Sequence, residues 1–451
     1  MIRLLLLLAM CSIPPGILPG RGAGMVPCAA AEPNDSSGLP GLTGPVSVAD
    51  AVSAALKFSP TVESRKALTD AARARLGQAK SGTRLQVSTT ATATAGSMAM
   101  ILAGPDSVQP QNLSILPDRN RANLNFMAMY PLYTGGRLAG KVRESKSLAD
   151  AAASEAVASE LDAAMTVKTG YYAVLLARLY VDAYSKGVDE STERVRIAQA
   201  AFEDGGIAKY DLLRNQTELA ESQRRLNDAT RDAETTLIDL KATMGISQDS
   251  RISLADELAY KQSTEDLVSL RAKALARRPE VAAARARTKS ANAGADAARG
   301  AYKPQVYAVG MQNTGSSEGT GFDQGYAVGI AAALPLFDGG QRASVVKEAA
   351  AMLRQARADE REAVLTATRD VDVAYTGITA AAKNVDLAKA AIDQADEDYR
   401  VIRLRYEAGK SINVEVLDAI ASLTRARTAY ADALYQHAAA RARLTRAIGE
   451  R

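Results

Sequence analysis

Hydrophobic residues recur along this chain with two different periods, and each change of period marks a change of element. From Ser47, the apolar positions Val48, Val52 and Ala55 fall on one face at helical spacing, and Thr264 opens a similar run with Leu267 and Leu270. Near Leu85 the spacing shifts to alternation. Leu124, Phe126, Ala128 and Tyr130 share one face of a predicted strand, and Tyr326, Val328, Ile330, Ala332 and Leu334 one face of another. The strands ending at Pro131 and Pro335 are written more clearly than their partners, which start near Leu85 and Pro304. Each is about 10 residues, the length that crosses a bilayer when tilted. Beyond each strand pair the chain turns alanine-rich, charged and free of proline. The stretch from Leu138 to Phe202 is about 65 residues, roughly 100 Å as one helix. In the later long stretch Ala388, Ile392, Ala395, Tyr399, Ile402 and Tyr406 step by four and three, the spacing of a coiled-coil seam. Val416, Ile420, Leu423, Tyr430 and Leu434 form a returning stripe, with Arg427 where the next apolar residue would stand. An antiparallel helical hairpin turning near Gly409 is expected.

The pattern is written twice. Met129 to Gly136 matches Ala333 to Gly340, with Pro131 and Pro335 separated by 204 residues. The same separation joins Tyr171 to Tyr375, Phe202 to Tyr406, Gly205 to Gly409, Asp211 to Glu415, Leu213 to Leu417 and Gly245 to Gly449. Earlier in each half, Val48 and Leu267, Pro60 and Pro279, and Gln86 and Gln305 are 219 apart. The 15-residue difference places an insertion in the first copy between Val87 and Met129, where Gly104-Pro105-Asp106 and Pro117-Asp118 read as a long loop. The organisation that follows is a signal sequence over 1–31, a linker over 32–45, a first unit over 46–245 with its strand pair at about 85–133, a linker over 246–262, and a second unit over 263–451 with its strand pair at about 304–337. Each unit runs helix, strand pair, long helical hairpin.

Composition narrows the setting. With 24% charged and only 5% aromatic residues the chain is folded rather than disordered, and beyond residue 31 no apolar stretch approaches the roughly 20 residues of a spanning helix. The start differs: Ile2 and Leu4 to Met10 behind Arg3, with Ala29-Ala30-Ala31 later, read as a secretory signal. Cys11 follows Met10 and Cys28 follows Pro27, which disfavours lipidation, and cleavage after Ala31 would remove both cysteines. The formal charge of +4 is spread along the chain, so no basic stripe for nucleic acid emerges.

Four amphipathic strands cannot lie in hydrocarbon as an open sheet, because each unpaired edge amide costs several kcal/mol. Eight strands are the usual minimum of a membrane barrel, so two or three copies would satisfy the edges. Here the residues suggest a family. Tyr130-Pro131-Leu132-Tyr133-Thr134-Gly135-Gly136-Arg137 and Leu334-Pro335-Leu336-Phe337-Asp338-Gly339-Gly340, the tips Phe202 to Gly205 and Tyr406 to Gly409, Phe58-Ser59-Pro60, and the closing Met244-Gly245 and Ile448-Gly449 resemble the TolC outer-membrane efflux family over nearly all of 46–450. The resemblance implies a mainly α fold with a small membrane β-barrel portion. Three chains would contribute twelve strands, continued by an α-helical periplasmic barrel, in the outer membrane of a Gram-negative cell. It implies a passive exit duct for efflux or type I secretion, with a periplasmic adaptor, an inner-membrane transporter and outer-membrane lipid as partners. Phe202, Gly205, Leu213, Tyr406, Gly409 and Leu417 would form the docking tip, and Asp211, Glu415 and Asp418 match acidic entrance residues. Where some relatives carry a basic residue two positions after the second tip glycine, this chain has Ser411.

Other chemistry finds little material. Gly135-Gly136 and Gly339-Gly340 lack a lysine at Walker spacing and a dinucleotide fingerprint, so their expected task, after Pro131 and Pro335 end sheet pairing, is to turn strand into helix. Gly205 and Gly409, read alone, are helix-terminating glycines. Glu415 and Asp418, read alone, are carboxylates suited to a helix start, while threefold repetition would make each a ring of three that draws cations. His437, the one histidine, is expected to be exposed and to hold no metal, and it has no triad companion. Arg194 to Arg196 and Asp396 to Asp398 read as solvated helix faces. No cofactor and no catalysis are expected. The competing reading is a periplasmic coiled-coil scaffold or adaptor without a pore, which should carry a lipoyl-like or barrel domain between its helical arms.

Overall fold

The computed structural model describes residues 41–94, 100–103, 113–116, 121–260, 265–317, 321–408 and 410–451. The expected signal sequence, both cysteines, Thr264 and Gly409 lie outside these residues, as do Gly104, Pro105, Asp106, Pro117 and Asp118 of the expected loop.

Two helices precede the strands in each half, where one was expected. Helix α1 (Val48–Phe58) starts at a capping box, in which the Ser47 hydroxyl accepts from the Asp50 amide and the Asp50 carboxylate accepts from the Ser47 amide. Ser59 is held extended at ψ 122° by the proline after it, and α2 (Pro60–Ser81) begins at that proline. Proline is tolerated in a first helical turn, whose amide would lack a partner anyway, so Pro60 bends the helical run without ending it. The later half repeats the device: α5 (Leu267–Arg277), Arg278 at ψ 122°, then α6 (Pro279–Gly300). The cap of α5 is Asp266, whose carboxylate accepts from the Val268 amide, two residues beyond the expected Thr264.

Strands β2 (Gln86–Thr94), β5 (Arg121–Tyr133), β7 (Gln305–Ser317) and β8 (Gly321–Ala333) form one antiparallel sheet in that order. Gln86 stands opposite Met129 and Gln305 opposite Ala333. The insertion holds a separate hairpin, β3 (Met100–Ala103) against β4 (Leu113–Leu116), where an unstructured loop was expected. Pro131 does not end its strand: β5 continues to Tyr133 through an irregularity between Pro131 and Tyr133, because a bulge absorbs the missing donor. β8 does stop before Pro335, at Ala333.

Helices α3 (Arg137–Glu203) and α7 (Gln341–Glu407) have 67 residues each, roughly 100 Å long. Each returns through a shorter helix, α4 (Lys209–Met244) or α8 (Asn413–Ala447). No described helix is long and apolar enough to cross a membrane. The expected linkers are partly ordered into structure: β1 (Thr43–Val46) pairs in parallel with β6 (Arg251–Leu254). The buried Tyr171 hydroxyl anchors this pair, lying 2.8 Å from the Val46 carbonyl and 3.1 Å from the Asp256 carboxylate. Around it Val167, Val174, Leu240, Met244 and Ala51 form the main apolar core.

Candidate functional site

Both hairpin tips close by the same physical device. At the first, Gly205 takes a φ of +72°, and the Gly206 amide donates to the Ala201 carbonyl at 2.7 Å, the six-residue closure that satisfies a helix C-terminus. At the second, the Lys410 amide donates to the Arg405 carbonyl at 2.8 Å across Gly409, which itself is outside the described residues. Phe202, Leu213 and Tyr210 are exposed around the first tip, while Tyr406 and Leu417 are half-buried at the second. Asp211 is half-buried in the first turn of α4. Glu415 and Asp418 are exposed, and Ser411 Oγ donates to the Glu415 carboxylate, so Ser411 meets an acid where a basic residue would have formed an ion pair. Among the described residues no three His, Cys, Asp or Glu side chains gather as metal ligands.

What joins the two hairpins is a residue expected to be solvated. Arg194 is only 9% exposed. Its Nη2 donates to Asn413 Oδ1 at 2.6 Å across to the second hairpin, its Nε reaches Asn215 Oδ1 at 3.5 Å, and its guanidinium stacks over Tyr406 at 5.2 Å. Asn215 in turn donates to the Asp211 carbonyl at 2.8 Å. One turn along α3, Glu190 pairs with Arg427 at 3.1 Å, and burial pushes the Glu190 carboxyl up, with Arg427 pulling it back. One signal in the sequence pointed here, Arg427 interrupting an apolar stripe, whereas only the structure places Arg194 on the buried line Ala183, Gly187, Ser191, Arg194, Ala198. Arg196 and Asp396 to Asp398 are exposed as expected.

At the other end of the helices, Gly135, Gly136, Gly339 and Gly340 all take positive φ between 62° and 90° and turn strand into helix. The last turn of α6 comes so close to Gly135 that a Cβ there would lie 2.5 Å from the Gly300 carbonyl oxygen. Pro131 lies at the β5 irregularity, and Leu336 and Phe337 beside Pro335 are exposed.

His437 is 1% exposed, contrary to expectation, because the chain after β6 folds over α8 and sets Tyr260 edge-on to it, ring centres 4.9 Å apart. Its Nε2 is buried without a partner, and burial together with the nearby Arg441 lowers its pKa. The unfolded chain therefore takes up this proton first. The stabilisation is fully present above the ordinary imidazole value of about 6.5 and is lost as pH falls through it. The unfolding midpoint is expected to drop between pH 7.5 and 5, and less steeply in His437→Phe; equal slopes in thermal melts of the two proteins would refute this.

Comparison with known proteins agrees with this architecture. The family described as "Outer membrane efflux protein" matches residues 51–246 and 270–450. The outer membrane protein OprJ of Pseudomonas aeruginosa is 30% identical over 177 residues, 38% of this chain and 37% of that protein. The alkaline protease secretion protein AprF of the same species is 24% identical over 290 residues, 62% of this chain and 59% of that one. This chain thus spans well under two thirds of the length of either relative. The outer membrane channel CmeC of Campylobacter jejuni has a similar fold, with a TM-score of 0.75 at 19% identity over 89% of this chain and 85% of that one. The chain belongs to the outer membrane efflux protein family, whose TolC-like members are outer-membrane channels that extend into the periplasm of Gram-negative cells.

Proposed function

We propose that residues 46–245 and 263–451 are two copies of one unit, and that three chains close into a twelve-stranded barrel continued by a helical tunnel. In this reading the assembly is an exit duct that passively conducts substrate delivered by a periplasmic adaptor and an inner-membrane pump. The observation that carries it is the four-stranded sheet. Its edges β2 and β8 have no outer strand neighbour among the described residues, and Tyr326, Val328 and Ile330 on one face of β8 are 88%, 85% and 73% exposed. Rows such as Tyr130, Ala308 and Ile330 continue that face across the strands. Such a face suits lipid, and such edges demand closure. The strands lead straight into helices of roughly 100 Å, a length suited to a periplasmic tunnel. The amphipathic sheet speaks for the duct over a poreless scaffold or adaptor.

The tips would then be the entrance and the docking place, with Phe202, Gly205, Leu213, Tyr406, Gly409 and Leu417 facing the adaptor. Asp211, Glu415 and Asp418 would line the mouth, each as a ring of three. Detergent-purified protein is expected to have the mass of a trimer and to conduct in planar bilayers with a preference for cations. Glu415→Gln with Asp418→Asn is expected to reduce that preference. A monomer without conductance would overturn the duct, and unchanged selectivity would remove the acidic mouth.

A further inference from the structure

The bend between α5 and α6 meets α7 and α8 around an open cavity of about 530 Å³ whose walls are predominantly cationic. Arg278 reaches it from the bend, Arg369 and Asp370 from α7, and Arg443 and Arg446 from α8. Four guanidiniums thus share one lining carboxylate. That carboxylate is already engaged: Asp370 Oδ2 accepts from both terminal nitrogens of Arg278 at 3.0 Å, and its Oδ1 accepts from Arg369 at 3.1 Å. Behind the cavity, Glu280 accepts from Arg278 Nε at 3.2 Å and from Arg446 Nη2, and Asp162 accepts from Arg446 Nε at 2.6 Å. Two groups are left over. Arg446 Nη1 is buried without a partner, and Arg443 makes no ion pair among the described residues. A buried guanidinium nitrogen with no acceptor is costly to the fold.

The first half of the chain holds a cavity at the matching place, and it lacks this chemistry. It is lined by Ser59, Thr166, Ala242 and Thr243, which stand 219 or 204 positions before Arg278, Asp370, Arg446 and Ala447. Met165 and Asp239 occupy the positions that match Arg369 and Arg443. Its charged walls are balanced, Arg65 and Arg287 against Glu155 and Asp162. A bend, a long helix and its returning helix therefore meet in one half without these arginines, so packing does not require them in the other.

We propose that the cavity at Arg278, Arg443 and Arg446 binds a phosphate-type oxyanion, free or as the head of a small organic phosphate. Forked guanidiniums suit such an anion, because their paired N–H groups match its oxygens in spacing and direction. Val373 and Ala440 on the walls give an organic body an apolar place to lie. Arg369 lies roughly 40 Å along α7 from the start of that helix at Gln341, which in the barrel reading is beyond the reach of lipid headgroups. The anion gives Arg446 Nη1 its missing acceptor and ties the bend to both helices, so occupancy stabilises the fold. Binding here does not depend on the duct reading above, since the walls all come from one chain.

The test is calorimetric titration of the detergent-purified full chain in phosphate-free buffer, with inorganic phosphate and with phenyl phosphate at fixed ionic strength. Saturable binding is expected from both, and chloride at the same ionic strength should not reproduce it. Phenyl phosphate binding several-fold tighter would identify an organic phosphate as the ligand, whereas equal affinities would identify the free anion. Arg443→Gln, at an exposed position, is expected to weaken binding about tenfold or more through loss of a hydrogen bond between charged groups. Arg369→Gln should behave likewise, while Arg425→Gln, elsewhere on α8, should leave the affinity unchanged. Phosphate should also raise the thermal midpoint of the native protein, and do so far less in Arg443→Gln. Absence of saturable binding by either anion, or native affinity in both the Arg443 and the Arg369 variants, would overturn the site.

Discussion

In the proposed duct, if contacts between the hairpins hold the tips closed, Arg194→Ala is expected to raise the open probability by roughly ten- to a hundredfold in single-channel recordings. The reason is local. Arg194 is the buried tie between hairpins at the tips, held by Asn413 at 2.6 Å and stacked on Tyr406. A hydrogen bond to a charged group contributes about 1.5–3 kcal/mol. Each 1.4 kcal/mol is about a factor of ten in an equilibrium between closed and open tips. Asn413 Nδ2 already lacks a partner, so losing the arginine leaves the whole amide stranded and gives the closed arrangement nothing in return. Arg194→Lys should fall between the two. An ammonium can replace the bond to Asn413, but as a point charge it cannot also reach Asn215 and cover the Tyr406 ring. Unchanged open probability in Arg194→Ala would remove this tie from the gate.

Gly245→Val is expected to abolish stable assembly, through a mechanism unrelated to the gate. Gly245 ends α4 with a φ of +71°, and a Cβ there would lie 2.6 Å from the Phe58 carbonyl oxygen and 2.9 Å from its carbon. The obstacle is backbone that cannot step aside, since Ser59 is fixed by Pro60 after it and by its own amide bonded to the Ala55 carbonyl at 2.8 Å. Left-handed backbone strain costs about 1–2 kcal/mol, and overpacking adds about 1–3 kcal/mol. Gly136→Val provides the comparison, because Gly136 has a φ of +90° with open space around it and should show the strain alone. Equal thermal midpoints and membrane yields for the two variants would refute the packing argument.

The particular elements show how far the residues speak for themselves. The long helices were legible almost to their ends: Leu138 to Phe202 became Arg137–Glu203, because a proline-free, alanine-rich stretch has no local reason to stop before Gly205. The seam from Ala388 to Tyr406 is the half-buried line of an otherwise exposed helix face, as its four-and-three spacing requires. Ser47 likewise announces its helix through bonds made within a few residues, whereas the division of each early helix at Pro60 and Pro279 was not read from the sequence. The proposed docking tip was marked by its glycines and aromatics, but the Arg194 tie was not. Arg194 reads as a surface charge until the second hairpin brings Asn413 to it, and His437 reads as exposed until Tyr260 closes over it. Pro131 reads as a strand end until β7 accommodates a bulge beside it.

By itself, then, the sequence determined the recurrence of strands followed by long helices, the extent of those helices and the Ser47 cap, since helix periodicity and capping act between residues close along the chain. The tertiary structure alone decided which polar groups are buried, which strands are neighbours, and which helix faces remain uncovered. These depend on partners distant along the chain, such as Arg194 and Asn413, and a side chain's cost or gain on burial is set by what those partners present to it.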